Sequence, residues 1–243
     1  MKKVFIVALG SILSFTSCDS LQGVADQLPG ILESATGSSA LSNDYIASGL
    51  REALDKGISE QVTKLTATDG FLKNSLVKIL LPEELQKVDS TLRKVGLSSL
   101  ADEGLKVLNR AAEDAVGEAT PIFVNAVKGI TFADAKNILL GDDGAATAYL
   151  NTKTKTELYG KFSPVISSSL EKVGANKIWS TLITKYNAIP LVSNTVNPDL
   201  TDYVTQQSLK GVYTMIGVEE KKIRTDVSSR TSDILRKVFA LQD

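Results

Sequence analysis

The stretch Ile46-Ala-Ser-Gly-Leu50-Arg-Glu-Ala-Leu54-Asp-Lys-Gly-Ile58-Ser-Glu-Gln-Val62 decides the fold. Ile46, Leu50, Leu54, Ile58 and Val62 recur every four residues, and Arg51, Glu52, Lys56 and Glu60 fall mostly off that line. Apolar residues at this spacing share one face of a helix, whereas a half-buried strand alternates every second residue. Such a stripe is stable only when packed against neighbours, so further helices are expected.

They follow along the chain. Pro82 suits the first helical position before Glu83, Glu84, Leu85, Val88, Leu92 and Val95, and Gly96 suits the C-terminal cap. Leu100, Leu105, Leu108, Ala112 and Ala115 mark the next helix, whose alanines predict a close helix–helix approach. Pro121 opens another, with Ile122, Phe123, Ala126, Val127 and Ile130 facing inward. Thr131 and Asp134 form a capping-box variant before Ala133, Ile138 and Leu139, and Gly141 ends that short helix. Asp142 and Asp143 are expected to start the following helix, which carries Tyr149 and Leu150; acidic groups there complement the helix dipole. Leu158, Phe162, Val165, Ile166 and Leu170 form a further stripe. Ile178, Leu182, Ile183 and Tyr186 form the next, which stops before Pro190. Residues 191–198 read as a loop. Asp199 or Thr201 caps a long helix through Tyr203, Leu209, Val212, Tyr213, Ile216 and Ile223. Ser228 and Ser229 precede a last helix with Ile234, Leu235, Val238 and Phe239. No alternating pattern lasts long enough to demand a sheet, and no fixed-period repeat occurs. The expected fold is all-α, a single multi-helix, bundle-like domain over residues 44–243.

Ahead of that domain, Lys2 and Lys3 precede an apolar run from Val4 to Leu13, then small and polar residues ending in Thr16-Ser17-Cys18. This is the order of a secretory signal, too short to span a bilayer, which takes about 20 apolar residues. Residues 1–17 are expected to be a lipoprotein signal peptide, and Cys18 the lipidated first residue of the mature chain. Residues 18–43, rich in Gly, Ser, Ala and Gln, read as a flexible tether with a reach of roughly 25–30 Å. A weaker apolar stripe, Leu21, Val24, Leu28, Ile31 and Leu32, lies within it. The chain is therefore expected to be exported and held, through acylated Cys18, on an inner or outer membrane facing the periplasm.

Composition narrows the chemistry further. The 243 residues carry 27 Lys and Arg against 28 Asp and Glu, and removal of Lys2 and Lys3 leaves a mildly acidic mature chain. A nucleic-acid partner, which needs a basic face, is not expected. The chain has no histidine and one cysteine, so imidazole bases and ligands are absent; with Cys18 acylated, thiolate chemistry and disulfides are too. Nucleotide-binding and nucleophile-elbow signatures are absent. Neither a cofactor nor a metal is expected.

Candidate site residues are correspondingly few. Asn109-Arg110-Ala-Ala-Glu113-Asp114 is the densest polar run, with Asn109 and Glu113, and Arg110 and Asp114, four apart. It reads either as a buried network lining a cleft or as ordinary pairs on a helix face. Gly141-Asp142-Asp143-Gly144 has too few oxygens for calcium, because Ala145, Ala146 and Ala148 follow. Glu219 and Glu220 with Lys221, Lys222 and Arg224 read as a solvated helix face. Tyr186-Asn187 offers a ligand-stacking ring or the polar tip of a core aromatic. The candidate binding cluster is Asn109, Arg110, Glu113, Asp142, Asp143, Tyr186 and Asn187, with no catalytic residue assigned.

Several stretches carry a family resemblance. They are Thr68-Asp-Gly-Phe71, Leu80-Leu-Pro-Glu-Glu-Leu85, Leu92-Arg-Lys-Val-Gly-Leu97, Leu108-Asn-Arg-Ala-Ala-Glu113, Glu118-Ala-Thr-Pro-Ile-Phe123, Ile130-Thr-Phe-Ala-Asp-Ala135, Ala145-Ala-Thr-Ala-Tyr149, Asp199-Leu-Thr-Asp-Tyr-Val204 and Arg230-Thr-Ser-Asp-Ile-Leu235. Together they resemble the bacterial domain of unknown function 4197 family, from about Ser48 to Phe239. The resemblance implies one helical domain in exported, often lipid-anchored, proteins of Gram-negative bacteria. It implies no activity, substrate or catalytic residue.

The functional expectation is a non-catalytic binding domain, for an envelope protein or a small or apolar ligand. The alternative is a carboxylate-dependent enzyme acting on an envelope polymer such as peptidoglycan. A large closed pocket lined by Asn109, Arg110, Glu113 and Asp142 would favour a ligand or an enzyme. A filled core with an exposed apolar patch would favour a protein partner.

Overall fold

The stripe beginning at Ile46 folds as helix α1, Asn43–Thr66, in a computed structural model that describes residues 42–82, 86, 93–94, 96, 98–188 and 195–241. Ser42 is its N-cap and accepts a hydrogen bond from the Tyr45 amide at 3.2 Å. Ala47, Leu50, Leu54, Ile58, Val62 and Leu65 are buried along one side, as period and burial together require. The expected signal peptide, Cys18 and most of the tether lie outside the described residues, as does most of the helix expected after Pro82.

Seven further α-helices are described, and no strand is found among the described residues. They are α2 (Ser98–Val116), α3 (Ala119–Lys128), α4 (Phe132–Leu139), α5 (Ala145–Glu171), α6 (Ala175–Asn187), α7 (Leu200–Thr225) and α8 (Asp233–Phe239). A short 3-10 turn, Val227–Ser229, joins the last two. The protein is thus an all-α, single-domain chain over Ser42–Asp243.

Several caps match their sequence signals. Thr131 and Asp134 form the reciprocal capping box of α4. Asp199 caps α7, accepting from the Asp202 amide at 3.0 Å. Other boundaries shift. Helix α3 starts at Ala119, so Pro121 sits inside its first turn. Helix α4 ends at Leu139, before Gly141. The cap of α8 is Ser232, while Ser228 and Ser229 belong to the 3-10 turn, where Asp226 binds both hydroxyls. The segments read separately around Tyr149 and Leu158 are one helix, α5, with Pro164 inside it.

Helices α5 and α7 are the centre of the fold. Each is more than 25 residues long, so each spans roughly 40 Å. They run antiparallel: Thr147 meets Glu220, Thr154 bonds the Tyr213 hydroxyl at 2.8 Å, and Tyr159 donates to Asp202 at 2.7 Å. Helix α7 also packs on α1, α2 and α6, and α5 also packs on α2, α3, α4 and α6. Being covered from several directions, α7 buries more than a stripe. Its buried Thr205 and Ser208 hydroxyls are satisfied by the carbonyls of Thr201 and Val204, at 2.7 Å each. Packing is close at Gly211, where an added Cβ would lie 2.7 Å from the Phe71 ring. The recess between α1 and α7 has a volume of only about 30 Å³.

Candidate functional site

The run on α2 does form a buried polar network, but its partners are the backbone of the connecting segment rather than a cleft. After α1 the chain turns at Asp69-Gly70. Asp69 takes a left-handed conformation, φ 68°, and at Gly70 a Cβ would lie 2.3 Å from the Lys64 carbonyl oxygen. The chain then runs without helix across α2 to Pro82. Three α2 side chains hold it. The fully buried Asn109 accepts from the Ile79 amide at 2.8 Å and donates to the Ile79 carbonyl at 2.9 Å, while also donating to Leu105 at 2.7 Å. Glu113 accepts from the amides of Phe71 and Leu72 at 3.0 and 3.4 Å, and its other oxygen binds Arg110. Arg110 reaches on to Asp69. The Glu113 carboxylate, then Asp69, hold the Arg110 guanidinium above its usual pKa. Lys73 first, and Arg110 after it, hold Asp69 below its usual value. The i,i+4 pairs expected here are not formed: Arg110 pairs at i+3, and Asp114 instead accepts from Ser169 on α5 at 2.9 Å.

The remaining candidates lie elsewhere. Asp142 and Asp143 are exposed in the turn before α5, and no hydrogen bond or ion pair joins them to Asn109, Arg110 or Glu113 among the described residues. They do not start the helix, whose N-cap is Gly144; the Asp142 carboxylate accepts from the Gly144 amide at 3.1 Å. Asn187 clamps the far side of its loop, accepting from the Val196 amide at 2.9 Å and donating to its carbonyl at 2.8 Å. Tyr186 belongs to α6, and its side chain lies outside the described residues. The six candidates whose side chains are described therefore do not converge on one site.

The charge run on α7 is the clearest correction. Glu220 and Arg224 are buried, not solvated, at 7% and 9% exposure. The Glu220 carboxylate caps α5 from outside, accepting from the amides of Ala146 and Thr147 at 2.8 Å each and from the Thr147 hydroxyl at 2.7 Å. Arg224 donates to Glu220 at 2.8 Å and to the carbonyls of Ile138 and Leu139 at 2.8 and 3.2 Å. An anion thus meets the positive end of α5 and a cation meets the negative end of α4. The pair stitches the α4–α5 corner onto α7. Arg230, 2% exposed, does the same for the end of α7 itself, donating to the carbonyls of Ile223 and Arg224 at 3.1 and 3.0 Å. Sequence reasoning missed Glu220 and Arg224 because neighbouring charges on one helix carry no mark of which will meet another helix end.

The best-formed apolar recess lies between α2, the start of α6 and the start of α7. It has a volume of about 330 Å³, and Leu81, Val107, Leu108, Ile178, Trp179 and Leu200 line it. Trp179 is its rigid wall: its indole N–H donates to the Asn197 carbonyl at 3.1 Å, and its ring stacks on Tyr203 at 5.9 Å. Ile178, expected to face inward, is 69% exposed at its edge, and Val173 nearby is 55% exposed. Of the expected stripe Ile183 is buried, and Trp179, beside the exposed Ile178, is buried with it. The chain's single tryptophan was the available signal for this site.

Among the described residues, no group of three or more acidic, His or Cys side chains is placed to hold a metal, and no helix is long and apolar enough to cross a membrane. No curated protein and no solved structure matches the chain. One family model does, over residues 40–240, which takes in every element described above, and the chain belongs to that family, described as "Protein of unknown function (DUF4197)".

Proposed function

We propose that this is a lipid-anchored envelope protein, acylated at Cys18, whose helical domain is a non-catalytic binding module for a protein partner. The observation that carries the binding half is the apolar recess walled by Trp179, with Ile178 and Val173 exposed at its edge. Small-molecule sites enclose most of their ligand, about 70–90% of its surface. This recess is open along one side, which suits apolar side chains projecting from a macromolecule. The two most buried carboxylates, Glu113 and Glu220, are each engaged by backbone amides and an arginine, which supports a structural role for them. The anchoring half rests on the charged, apolar and small-residue order before Cys18.

Photo-crosslinking in intact envelopes tests the binding half. A crosslinker placed at Ile178 is expected to trap a discrete partner, and one at Val227, exposed elsewhere, is not. Equal trapping at both positions, or none at Ile178, would overturn the reading. For anchoring, Cys18→Ser is expected to abolish acylation and release the chain from membranes or leave it uncleaved. A wild-type mass without acyl groups would refute it.

A further inference from the structure

A second groove, polar in character, runs along the contact between α5 and α7, with a volume of about 530 Å³. Two ridges flank it. Thr147, Asn151 and Lys155 stand at intervals of four on α5, and Gln206, Lys210 and Thr214 at intervals of four on α7. Residues four apart project from the same side of a helix, so each ridge is continuous. The antiparallel register set by Thr154–Tyr213 and Tyr159–Asp202 brings Lys155 opposite the Gln206–Lys210 stretch. The apolar floor is Leu209 and the ring of Tyr213, whose hydroxyl is already bonded to Thr154.

The charge of this groove sets it apart. Its walls hold two ammonium groups and no carboxylate. Like most of the described lysines, Lys155 and Lys210 have no ion pair among the described residues, and here the two line one concave wall. Two acids bonded to its wall residues Thr147 and Gln206 are engaged elsewhere as well, and Glu157, two positions from Lys155, is not among the lining residues. Glu220 is taken by the start of α5 and by Arg224. Asp202 is taken by Tyr159, Asn197 and Gln206. Two unneutralised cations in a concave wall reinforce one another's attraction for an anion. The side-chain amides and the Thr214 hydroxyl beside them supply neutral donors and acceptors in both senses.

That combination matches one chemical class. A free inorganic anion would use the lysines and leave the amides idle, and a neutral sugar would do the reverse. We infer that the α5–α7 groove binds an anionic sugar, with Lys155 and Lys210 on its phosphate or carboxylate and Asn151, Gln206 and Gln207 on its hydroxyls. The site is separate in residues from the Trp179 recess, and it stands whether or not that recess binds a protein.

Ligand-observed NMR titration of the full chain tests it, with glucose 6-phosphate, glucuronate and glucose as probes. Saturable transfer to glucose 6-phosphate, to glucuronate or to both is expected, with glucose showing none at the same millimolar concentrations. Binding of only the first identifies a phosphate site, and of only the second a carboxylate site. Lys155→Gln and Lys210→Gln should each weaken binding about tenfold, the scale of one charge-assisted contact. Both lysines are exposed, so the variants should melt as the wild type does. Absence of saturable binding to both anions, equal binding of glucose, or unchanged affinity in the double variant would overturn the assignment.

Discussion

Replacing Glu220 by alanine removes the link between three helices at once. In the native protein its carboxylate accepts two α5 amides, one hydroxyl and the Arg224 guanidinium, inside a region with little access to water. Losing one partner of a buried pair leaves the other charge unpaired, at about 3–5 kcal/mol. Losing an N-cap adds about 1 kcal/mol. Glu220→Ala should therefore cost about 4–6 kcal/mol, a large part of the 5–15 kcal/mol typical of a folded domain. Arg224→Met is milder, about 3 kcal/mol, because Glu220 keeps three donors and the methionine refills the space of the arginine stem. With Glu220→Ala and Arg224→Met combined, neither charge is left stranded, and the loss should be at least about 2 kcal/mol below the sum of the single losses. Urea unfolding followed by circular dichroism gives each value by linear extrapolation. Amide exchange at Ala146 and Thr147 should rise in Glu220→Ala before global unfolding. A cost below about 1 kcal/mol for Glu220→Ala, the range of solvent-screened pairs, or strict additivity in the cycle, would refute the buried-clamp account.

Other outcomes follow from the same geometry. Glu113→Gln has a single oxygen: kept for Phe71 and Leu72, it turns its N–H₂ toward Arg110, and turned to Arg110, it sets N–H₂ against those two amides; a loss of about 1.5–3 kcal/mol, read as a fall in Tm of roughly 5 °C, is expected, and no fall would place the network at the surface. Gly211→Ala forces a methyl to within 2.7 Å of Phe71 and should cost about 1–3 kcal/mol by chemical denaturation; a neutral or stabilising result would mean that the 67–82 segment moves freely off α7. Hydroxyl and amide donors of Thr131 hold Asp134 below its usual pKa, and those of Ser228 and Ser229 do so for Asp226. A carboxylate depressed by folding stabilises the fold above its unfolded pKa, so Tm should drop as pH falls below about 4, and drop less in Asp134→Asn. With no histidine, Tm should be nearly level between about pH 5.5 and 8, and a step there would contradict this.

Periodicity and local chemistry carry the part of this protein that is legible along the chain. The spacing of Leu50, Leu54, Ile58 and Val62 made α1 a helix, and Thr131 with Asp134 started α4, because both signals act within one or two turns of chain. The all-α class followed from the same patterns repeated, and the motifs from Thr68 to Leu235 carried the family. Asn109 and Glu113 were recognisable as polar groups among close-packing alanines, but their targets were not, since Ile79 and Phe71 lie 30 and 42 positions away. Burial of Glu220 and Arg224 depended on the end of α4 and the start of α5 arriving together beside α7, more than 70 positions away along the chain. The same holds for the Trp179 recess and for the pairing of Lys155 with Lys210. On α6, Ile183 lies inside as its spacing requires, while Ile178 lies outside and the adjacent Trp179 inside, a distinction finer than an apolar stripe can carry. Helix faces are written in the chain, but which faces meet is decided by the packing of all of them at once, and that is where a charge becomes a clamp or a groove acquires its walls.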